Sequence, residues 1–241
     1  MEALIPVLGV VFCSTFIRSA FGFGDALVAM PILALILGLK TATPLVALLA
    51  STIGLTILVR NWRSVQIQSA WRLICSTLAG IPLGLVLLKG AYENLLQILL
   101  AGILIGFALF SLSRPRLLTL RGETSAFFFG FAAGILGGAY NTNGPPVVIY
   151  GTLKGWDPSS FRATLQGYFL PTGLFILAGH GVGGLWTSEV LRLYLYALPL
   201  VFTAIFLGGR MNRAFSPHRF SQWIYALLMV LGLLLLWRTL A

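Results

Sequence analysis

Two long apolar stretches of the sequence are interrupted by glycine, proline and hydrogen-bonding side chains. The first stretch, residues 4–38, carries the run SAFGFGD at residues 19–25, and the second, residues 125–153, carries GILGGAYNTNGPP at residues 134–146. A helix facing lipid cannot leave backbone N–H and C=O groups unpaired, so such a run is tolerated at membrane depth only where it is buried in protein or lines a cavity. The sequence therefore predicts two broken or re-entrant helices that carry the functional site.

Most of the remaining sequence consists of apolar stretches long enough to cross a membrane. With 58% hydrophobic residues, 9% charged residues and a mean hydropathy of +0.94, the 241 residues cannot form a soluble domain. Each uninterrupted stretch suits one crossing of about 20 residues. We predict an all-α polytopic membrane protein with about eight hydrophobic segments: residues 4–38, 44–59, 73–88, 95–112, 125–153, 163–178, 190–208 and 220–236.

The two interrupted stretches also resemble each other in sequence. A shift of 115 positions pairs Phe12 with Phe127, Phe16 with Phe131, Gly22 with Gly137 and Pro31 with Pro146. Interrupted segments at corresponding positions in two halves are the best sequence indication of a transporter's binding site. We therefore predict an N-terminal repeat, residues 1–118, and a C-terminal repeat, residues 119–241, which together form one transmembrane domain.

The positions of the basic residues predict how these repeats are oriented. If both interrupted stretches return to the side on which they begin, the Lys and Arg residues divide 11 against 4, leaving out Arg18 within the first stretch. If all eight stretches cross once, the division is 8 against 7. Because inside loops carry the excess of Lys and Arg, the first arrangement is favoured. It gives inverted repeats with both termini outside, and with these residues inside: Arg60, Arg63, Arg72, Arg114, Arg116, Arg121, Lys154, Arg162, Arg210, Arg213 and Arg219.

Other classes of function receive little support from the composition. The net charge of +10 comes from Lys and Arg residues in short loops, which indicates topology and no nucleic-acid partner. Cys13 and Cys75 are predicted to be small buried hydrophobic residues. His180 and His218 are predicted to lie in loops without metal-ligand spacing, so we expect no metal site and no cofactor. No basic residue precedes the first apolar stretch, which is expected to remain in the membrane rather than to act as a cleaved signal peptide.

The second interruption has the chemistry of an anion site. A small anion that enters the bilayer loses water, and free N–H groups at the N-terminus of a broken helix can replace those hydrogen bonds. Glycines would let the backbone approach the ligand, and prolines can begin the second half-helix. A competing interpretation is that Gly130, Gly134 and Gly138 only allow close helix packing. The predicted binding residues of this region are Gly137, Gly138, Asn141, Thr142, Asn143, Gly144 and Pro145.

Arg18 and Asp25 are charged residues within the first interrupted stretch, beside Gly22 and Gly24. Charges at membrane depth are expensive and therefore suggest function. We expect Arg18 to attract the anion, Gly22 and Gly24 to contribute backbone contacts, and Asp25 to couple transport to protons, since burial favours the neutral acid. A purely structural ion pair, or an Arg18 side chain that extends to the membrane interface, is the alternative.

Three runs carry a resemblance to a known family. The segments FGFGD at residues 21–25, NGPPVVIY at residues 143–150 and FRATL at residues 161–165 resemble the sulfite exporter TauE/SafE family over essentially the whole chain. The resemblance implies a multi-pass permease of the bacterial inner membrane for sulfite, organosulfonates or related anions, commonly proton-coupled, with its site where the repeats meet. It also raises a gating or anion-guiding role for Arg162, which is otherwise a topology marker. Gln166 lies deeper in the same segment and is expected to line the path.

Competing functions differ in the residues that they require. Gly22-Phe23-Gly24-Asp25 matches the Gly-x-Gly-Asp signature of intramembrane aspartyl proteases, but that chemistry needs two carboxylates and the other Asp of the chain, Asp157, is predicted in a loop. We therefore predict no enzymatic activity. A passive anion channel is the closer alternative, because broken helices also build pores. The preferred prediction is a proton-coupled transporter that works by alternating access, with a small anion, protons and the lipid bilayer as its partners.

Overall fold

The computed structural model describes residues 3–61, 70–90, 92–113, 120, 123–156, 158–211 and 217–240. These residues form helices and connecting turns, with no strand among them, which confirms the all-α class. The helices are α1 (Leu4–Phe21), α2 (Asp25–Leu37), α3 (Leu39–Asn61), α4 (Trp71–Gly90), α5 (Glu93–Ser113), α6 (Ser125–Tyr140), α7 (Gly144–Leu153), α8 (Pro158–Val182), α9 (Ser188–Met211) and α10 (Pro217–Leu240).

Five of these helices are long and apolar enough to cross a membrane, judged over the described residues. Their apolar spans are Leu39–Thr56, Trp71–Gly90, Glu93–Ser113, Ser188–Arg210 and Gln222–Leu240. Large apolar side chains on their outer faces are exposed, as expected for surfaces that contact lipid. Cys13 and Cys75 are exposed as well, so their predicted burial is wrong. A cysteine side chain is small and apolar and does not need a hydrogen-bond partner. A position that faces lipid therefore suits it as well as a buried one.

The eight predicted segments become ten helices because each interrupted stretch is two helices. The first break, residues 22–24, begins at Gly22 (φ 89°) and ends at Gly24 (φ 103°), both in the left-handed region that glycine adopts without strain. The second break, residues 141–143, begins at Asn141 (φ 52°), also left-handed. Asparagine is among the few other residues that tolerate this conformation at a helix end. The two breaks begin 119 residues apart, at Gly22 and Asn141, and the internal repeat stays a prediction.

The second interrupted stretch folds back on itself. The backbone N–H of Leu120, ahead of α6, donates to the carbonyl of Leu153 at the end of α7 over 3.0 Å. The rings of Phe129 on α6 and Tyr150 on α7 lie 5.7 Å apart between centroids. The beginning of α6 and the end of α7 are therefore neighbours, and the α6–α7 pair is a hairpin rather than a single interrupted crossing.

One carboxylate joins this hairpin to α4. Glu123 accepts hydrogen bonds from Lys154 (2.9 Å), just after α7, and from Arg72 (3.0 Å) at the start of α4. The hydrogen bond from Lys154, and the positive charges of Lys154 and Arg72, hold the pKa of Glu123 below its usual value. Arg72 and Lys154 consequently lie on the same side of the protein, as the arrangement with a re-entrant second stretch requires.

Small residues set the closest helix packing. Helix α4 runs alongside α6, where Gly80 and Gly84 face Gly134 and Gly138 so closely that an added Cβ would overlap backbone atoms of the other helix. Gly208 of α9 packs in the same way against Phe16 and Ser19 of α1. The Ser19 hydroxyl donates to the Ile205 carbonyl over 2.7 Å. The first helix of each interrupted stretch is therefore held by backbone-to-backbone contact with a helix from the other half of the chain.

Candidate functional site

A cavity of about 60 Å³ lies where the two breaks meet. That volume accommodates several water molecules or one small oxyanion. Both breaks contribute to its wall, and helices α3 and α8 close it. The lining residues are Arg18, Phe23, Gly24, Asp25, Ala26, Leu27, Ala50, Ser51, Gly54, Asn141, Thr142, Asn143, Gly144, Phe169, Leu170, Gly173 and Leu174.

Arg18 and Asp25 form an ion pair across the first break. The Arg18 Nη1 atom lies 2.7 Å from Asp25 Oδ2, and the two side chains are 12% and 10% exposed. The left-handed turn at Gly22 and Gly24 allows this contact, because it brings the last turn of α1 against the first residue of α2. Gly54 of α3 lies beside the guanidinium, where an added Cβ would be in van der Waals contact with Arg18 Nη2 at 3.4 Å. The positive charge of the cavity is thus balanced by a carboxylate.

The N-terminus of α2 opens into the same cavity. Its first-turn N–H groups, on Asp25, Ala26 and Leu27, have no acceptor within the helix, and the residue before them, Gly24, has no side chain to cap them. All three residues line the cavity. Helix α7 offers fewer donors, because Pro145 and Pro146 in its first turn have no N–H. The backbone donors for an anion therefore come mainly from α2.

The second break supplies neutral polar side chains. Asn141, Thr142 and Asn143 are all buried, at 7%, 1% and 7% exposure. The Asn143 amide donates to the Thr172 hydroxyl of α8 over 3.2 Å. The Thr142 hydroxyl has no hydrogen-bond partner among the described residues. A buried hydroxyl without a partner is unusual, and this one belongs to a residue that lines the cavity.

The predicted binding residues divide into two groups. Arg18, Gly24, Asn141, Thr142, Asn143 and Gly144 line the cavity together with Asp25. The other predicted binding residues that the structure describes do not line the cavity. Gly22 ends α1 by donating its N–H to Arg18, Gly137 packs against Ile176, Gly138 packs against α4, and Pro145 is buried in the first turn of α7. Gly138 therefore follows the packing interpretation, because its missing side chain makes room for α4.

Two predicted residues cannot be placed in the same way. Arg162 and Gln166 lie within helix α8, but the structure describes only their backbone. Asp157, the other aspartate considered for protease chemistry, is also outside it. The roles predicted for these residues stay predictions.

Sequence reasoning missed the contribution of α3 to the site, and it missed the residues of α8 that line the cavity. Ser51 and Gly54 come from α3, and Phe169, Leu170 and Gly173 come from α8. A helical spacing of three or four residues links the members of each set, but many lipid-facing positions share that spacing. Ala26 and Leu27 were missed because their contribution is a backbone N–H group, which the residue type does not reveal.

His180 does not lie in a loop as predicted. It belongs to the last turn of α8 and is completely buried. His218 was also predicted in a loop, and it lies in the first turn of helix α10. No cluster of three potential metal ligands occurs among the described residues. The loop prediction fails because helix α8 continues beyond residue 178, where the predicted apolar stretch ends, as far as Val182.

Comparisons with known proteins identify the family. The profile described as "Sulfite exporter TauE/SafE" matches residues 7–235. A protein of Cupriavidus necator named "Probable sulfite/organosulfonate exporter TauE" is 26% identical over 247 residues, covering 96% of this chain and 94% of that protein. No solved structure matches the chain. With nearly its whole length matched, the chain belongs to the sulfite exporter TauE/SafE family.

Proposed function

We propose that this protein is a secondary transporter that carries small sulfur-containing anions, such as sulfite or an organosulfonate, across the bacterial inner membrane. The family and the name of the Cupriavidus necator relative support the class of substrate. The apolar helices support a membrane location. Its activity is transport rather than catalysis, and its partners are the anion, protons and the lipid bilayer.

The observation that carries this proposal is the cavity between the two breaks. It combines an arginine, the free N–H groups of α2 and the unpartnered Thr142 hydroxyl, all of which are groups that bind an oxyanion. Phe23, Phe169 and Leu174 give the same cavity an apolar wall. That wall suits the organic part of a sulfonate, while the polar groups suit the charged sulfur oxygens.

Proton coupling follows from the Arg18–Asp25 ion pair. An anion that binds Arg18 competes with the Asp25 carboxylate for the same guanidinium. When Asp25 takes up a proton, Arg18 becomes available and the repulsion between Asp25 and the anion disappears. Proton binding then raises the affinity for the anion, and anion binding raises the affinity for the proton by the same factor. Coupled transport requires such a reciprocal effect.

Alternating access is the mechanism that the arrangement of helices favours. Helix α4 packs along α6 and α9 packs along α1, and these two pairs correspond if the N-terminal and C-terminal halves are repeats. Helix α5 packs against α10, and α3 packs against α8. In each of these two pairs, the helices would be counterparts in the two repeats. We infer two inverted repeats that rock about the cavity, so that it opens to each side in turn.

The test is uptake of radiolabelled sulfite into proteoliposomes that contain the purified protein. An imposed pH gradient, with the membrane potential clamped at zero, should drive accumulation above the external concentration. Addition of a protonophore should abolish that accumulation. Thermal-shift measurements with sulfite, sulfate, thiosulfate, methanesulfonate and acetate would define the preferred anion.

A passive anion channel is the second candidate, since a cavity with an arginine and helix N-termini also suits a pore. The same vesicles distinguish the two functions. For methanesulfonate, whose charge does not change with pH, a channel equilibrates the anion without concentrating it when the membrane potential is zero, whatever the pH gradient. Equilibration without accumulation would therefore replace the coupled mechanism by a channel.

A further inference from the structure

The C-terminal end of α6 is held by side chains from two other helices. The last four carbonyl groups of a helix have no N–H donor within the helix and need donors from elsewhere. The Gly137 carbonyl receives the Asn141 N–H over 2.8 Å, which is a local contact. The next two carbonyls, of Gly138 and Ala139, receive His180 Nε2 over 3.1 Å and the Thr43 hydroxyl over 3.2 Å.

Both donors are completely buried, and their chemistry fixes how they bind. A carbonyl oxygen only accepts hydrogen bonds, so His180 Nε2 carries a hydrogen and the neutral ring has its acceptor at Nδ1. Nδ1 has no partner among the described residues. The hydrogen bond to Gly138 is therefore the polar contact that orients this buried ring. Thr43 is equally constrained, because its hydroxyl donates to Ala139 from the opposite helix, α3.

These two contacts lie directly before the second break. Ala139 is two residues from Asn141, which adopts the left-handed conformation and lines the cavity. Helices α3 and α8 also line the cavity, so the helices that hold the end of α6 are the ones that enclose the ligand. In addition, the C-terminal carbonyls of a helix carry partial negative charge, which repels an anion unless donors engage them.

We propose that Thr43 and His180 are positioning residues that fix the end of α6, and with it the second break, in the geometry that binds the anion. This inference rests on the proposed function, since it assigns the purpose of the contacts to the same cavity. Each contact satisfies a carbonyl at the C-terminal end of α6, directly before the break. Each also ties the break to a helix of the cavity wall, so that a movement of α3 or α8 is transmitted to Asn141 and Thr142.

Paired substitutions separate donation from packing. His180→Leu and Thr43→Val remove the donor and keep a similar volume, whereas His180→Gln and Thr43→Ser keep a donor. Thr203→Val is the matched control, because the exposed Thr203 hydroxyl donates only to its own helix, at Pro199 over 2.8 Å. We expect the first two variants to raise the KM for sulfite about five- to tenfold with little change in kcat, and the other three to stay within about twofold.

Hydrogen–deuterium exchange of residues 137–144, measured without any anion, provides a second readout. Exchange should be faster in His180→Leu and Thr43→Val than in His180→Gln, Thr43→Ser and wild type. Unchanged exchange would overturn the proposal, and so would faster exchange with an unchanged KM. A flattened pH profile in His180→Gln would also overturn it, by making His180 a proton carrier. If wild type takes up no sulfur anion, the proposed function fails, and the exchange measurement still decides whether these residues position the break.

Discussion

Arg18 is bound to Asp25, so any anion in the cavity meets a guanidinium that a carboxylate already occupies. Both side chains are about nine-tenths buried, and a buried charge without its partner is strongly unfavourable. The pair therefore has a structural as well as a functional side. Single substitutions leave one charge unpaired, whereas a double substitution removes both, and this difference separates the two roles.

The first prediction concerns Asp25→Asn, which keeps the shape and hydrogen bonding of the side chain but removes titration. Sulfite accumulation driven by a pH gradient should be lost, while exchange of labelled for unlabelled sulfite across the membrane persists. Both are measured in the same proteoliposomes. Normal accumulation by a well-folded variant would remove Asp25 from the coupling mechanism.

A control addresses the structural role of the pair. If Asp25→Asn misfolds, Arg18→Gln combined with Asp25→Asn should restore a monodisperse protein with a thermal midpoint close to wild type, because no charge is left unpaired. Recovery of folding without recovery of binding would then assign Arg18 to the anion site. Failure of the double variant to fold would show that the pair is needed for more than mutual neutralisation.

The second prediction concerns the asparagines of the second break. Asn141→Ala and Asn143→Ala should each weaken sulfite binding by about 1 to 3 kcal/mol per lost contact with the charged ligand. Titration by isothermal calorimetry measures this. Because Asn143 also donates to Thr172, Thr172→Val is the matched control, since Thr172 does not line the cavity. Equal losses in Asn143→Ala and Thr172→Val would show that Asn143 acts through its contact with α8 alone.

At the scale of helices, α4 and α6 form the most extensive contact among the described helices, and glycine makes it possible. An added Cβ at Gly84 would overlap the Ile135 carbonyl and stand 2.9 Å from the Ala139 nitrogen. Backbone atoms cannot move aside as a flexible side chain can. The two helices would have to separate, and the second break at the end of α6 would move with them.

The third prediction follows from that packing. Gly84→Ala should lower the thermal midpoint in detergent and destabilise the protein by about 1 to 3 kcal/mol or more, the usual effect of overpacking. Gly102→Ala on α5 is the control, because an added Cβ there meets nothing within 4 Å. Equal midpoints for the two variants would contradict the close packing of α4 on α6.

The breaks were predictable from sequence, and the partners of the breaks were not. Glycines, prolines and asparagines at residues 22–24 and 141–145 mark a backbone that cannot continue as a helix, which is a local property. The donors to α6 come from Thr43 and His180, which are 96 and 42 residues away from the carbonyls that they meet. Such contacts depend on how helices pack.

The hairpin formed by α6 and α7 permits a fourth prediction. Arg72 and Lys154 share the Glu123 carboxylate and must be on one side of the membrane, whereas Lys89, at the far end of α4, must be on the other. In a background with Cys13 and Cys75 replaced by Ala, Arg72→Cys and Lys154→Cys should react with an impermeant thiol reagent from the same side. Lys89→Cys should react from the opposite side. If Lys154→Cys and Lys89→Cys reacted from the same side, the second stretch would have to cross the membrane.

The pH dependence of this ion cluster has a definite sign. Because the pKa of Glu123 is lowered in the folded protein, its contribution to stability is present above the unfolded value of 4.5 and is lost as the pH falls through the lower folded value. Glu123 is largely exposed, so the contribution is small. The cluster is therefore intact in the wild-type protein at neutral pH.

For the whole molecule, the number of helices that follow each interrupted stretch decides the relation between the halves, because an odd number of crossings after a re-entrant hairpin inverts the second half. Three helices follow each interrupted stretch: α3, α4 and α5 in the first half, and α8, α9 and α10 in the second. If both interrupted stretches return to their starting side, the chain begins and ends on the same side. The charge distribution identifies that side as the outside, because 11 of 15 loop or boundary Lys and Arg residues then lie inside.

The last prediction tests this arrangement with reporter fusions. Alkaline phosphatase is active outside and green fluorescent protein is fluorescent inside, so each fusion point is made with both reporters. A fusion at Ala241 should report the outside, and one in the connection near Arg213 should report the inside, since α10 separates them. An inside C-terminus, or the same side for both points, would exclude inverted repeats, and alternating access would then need a different structural basis.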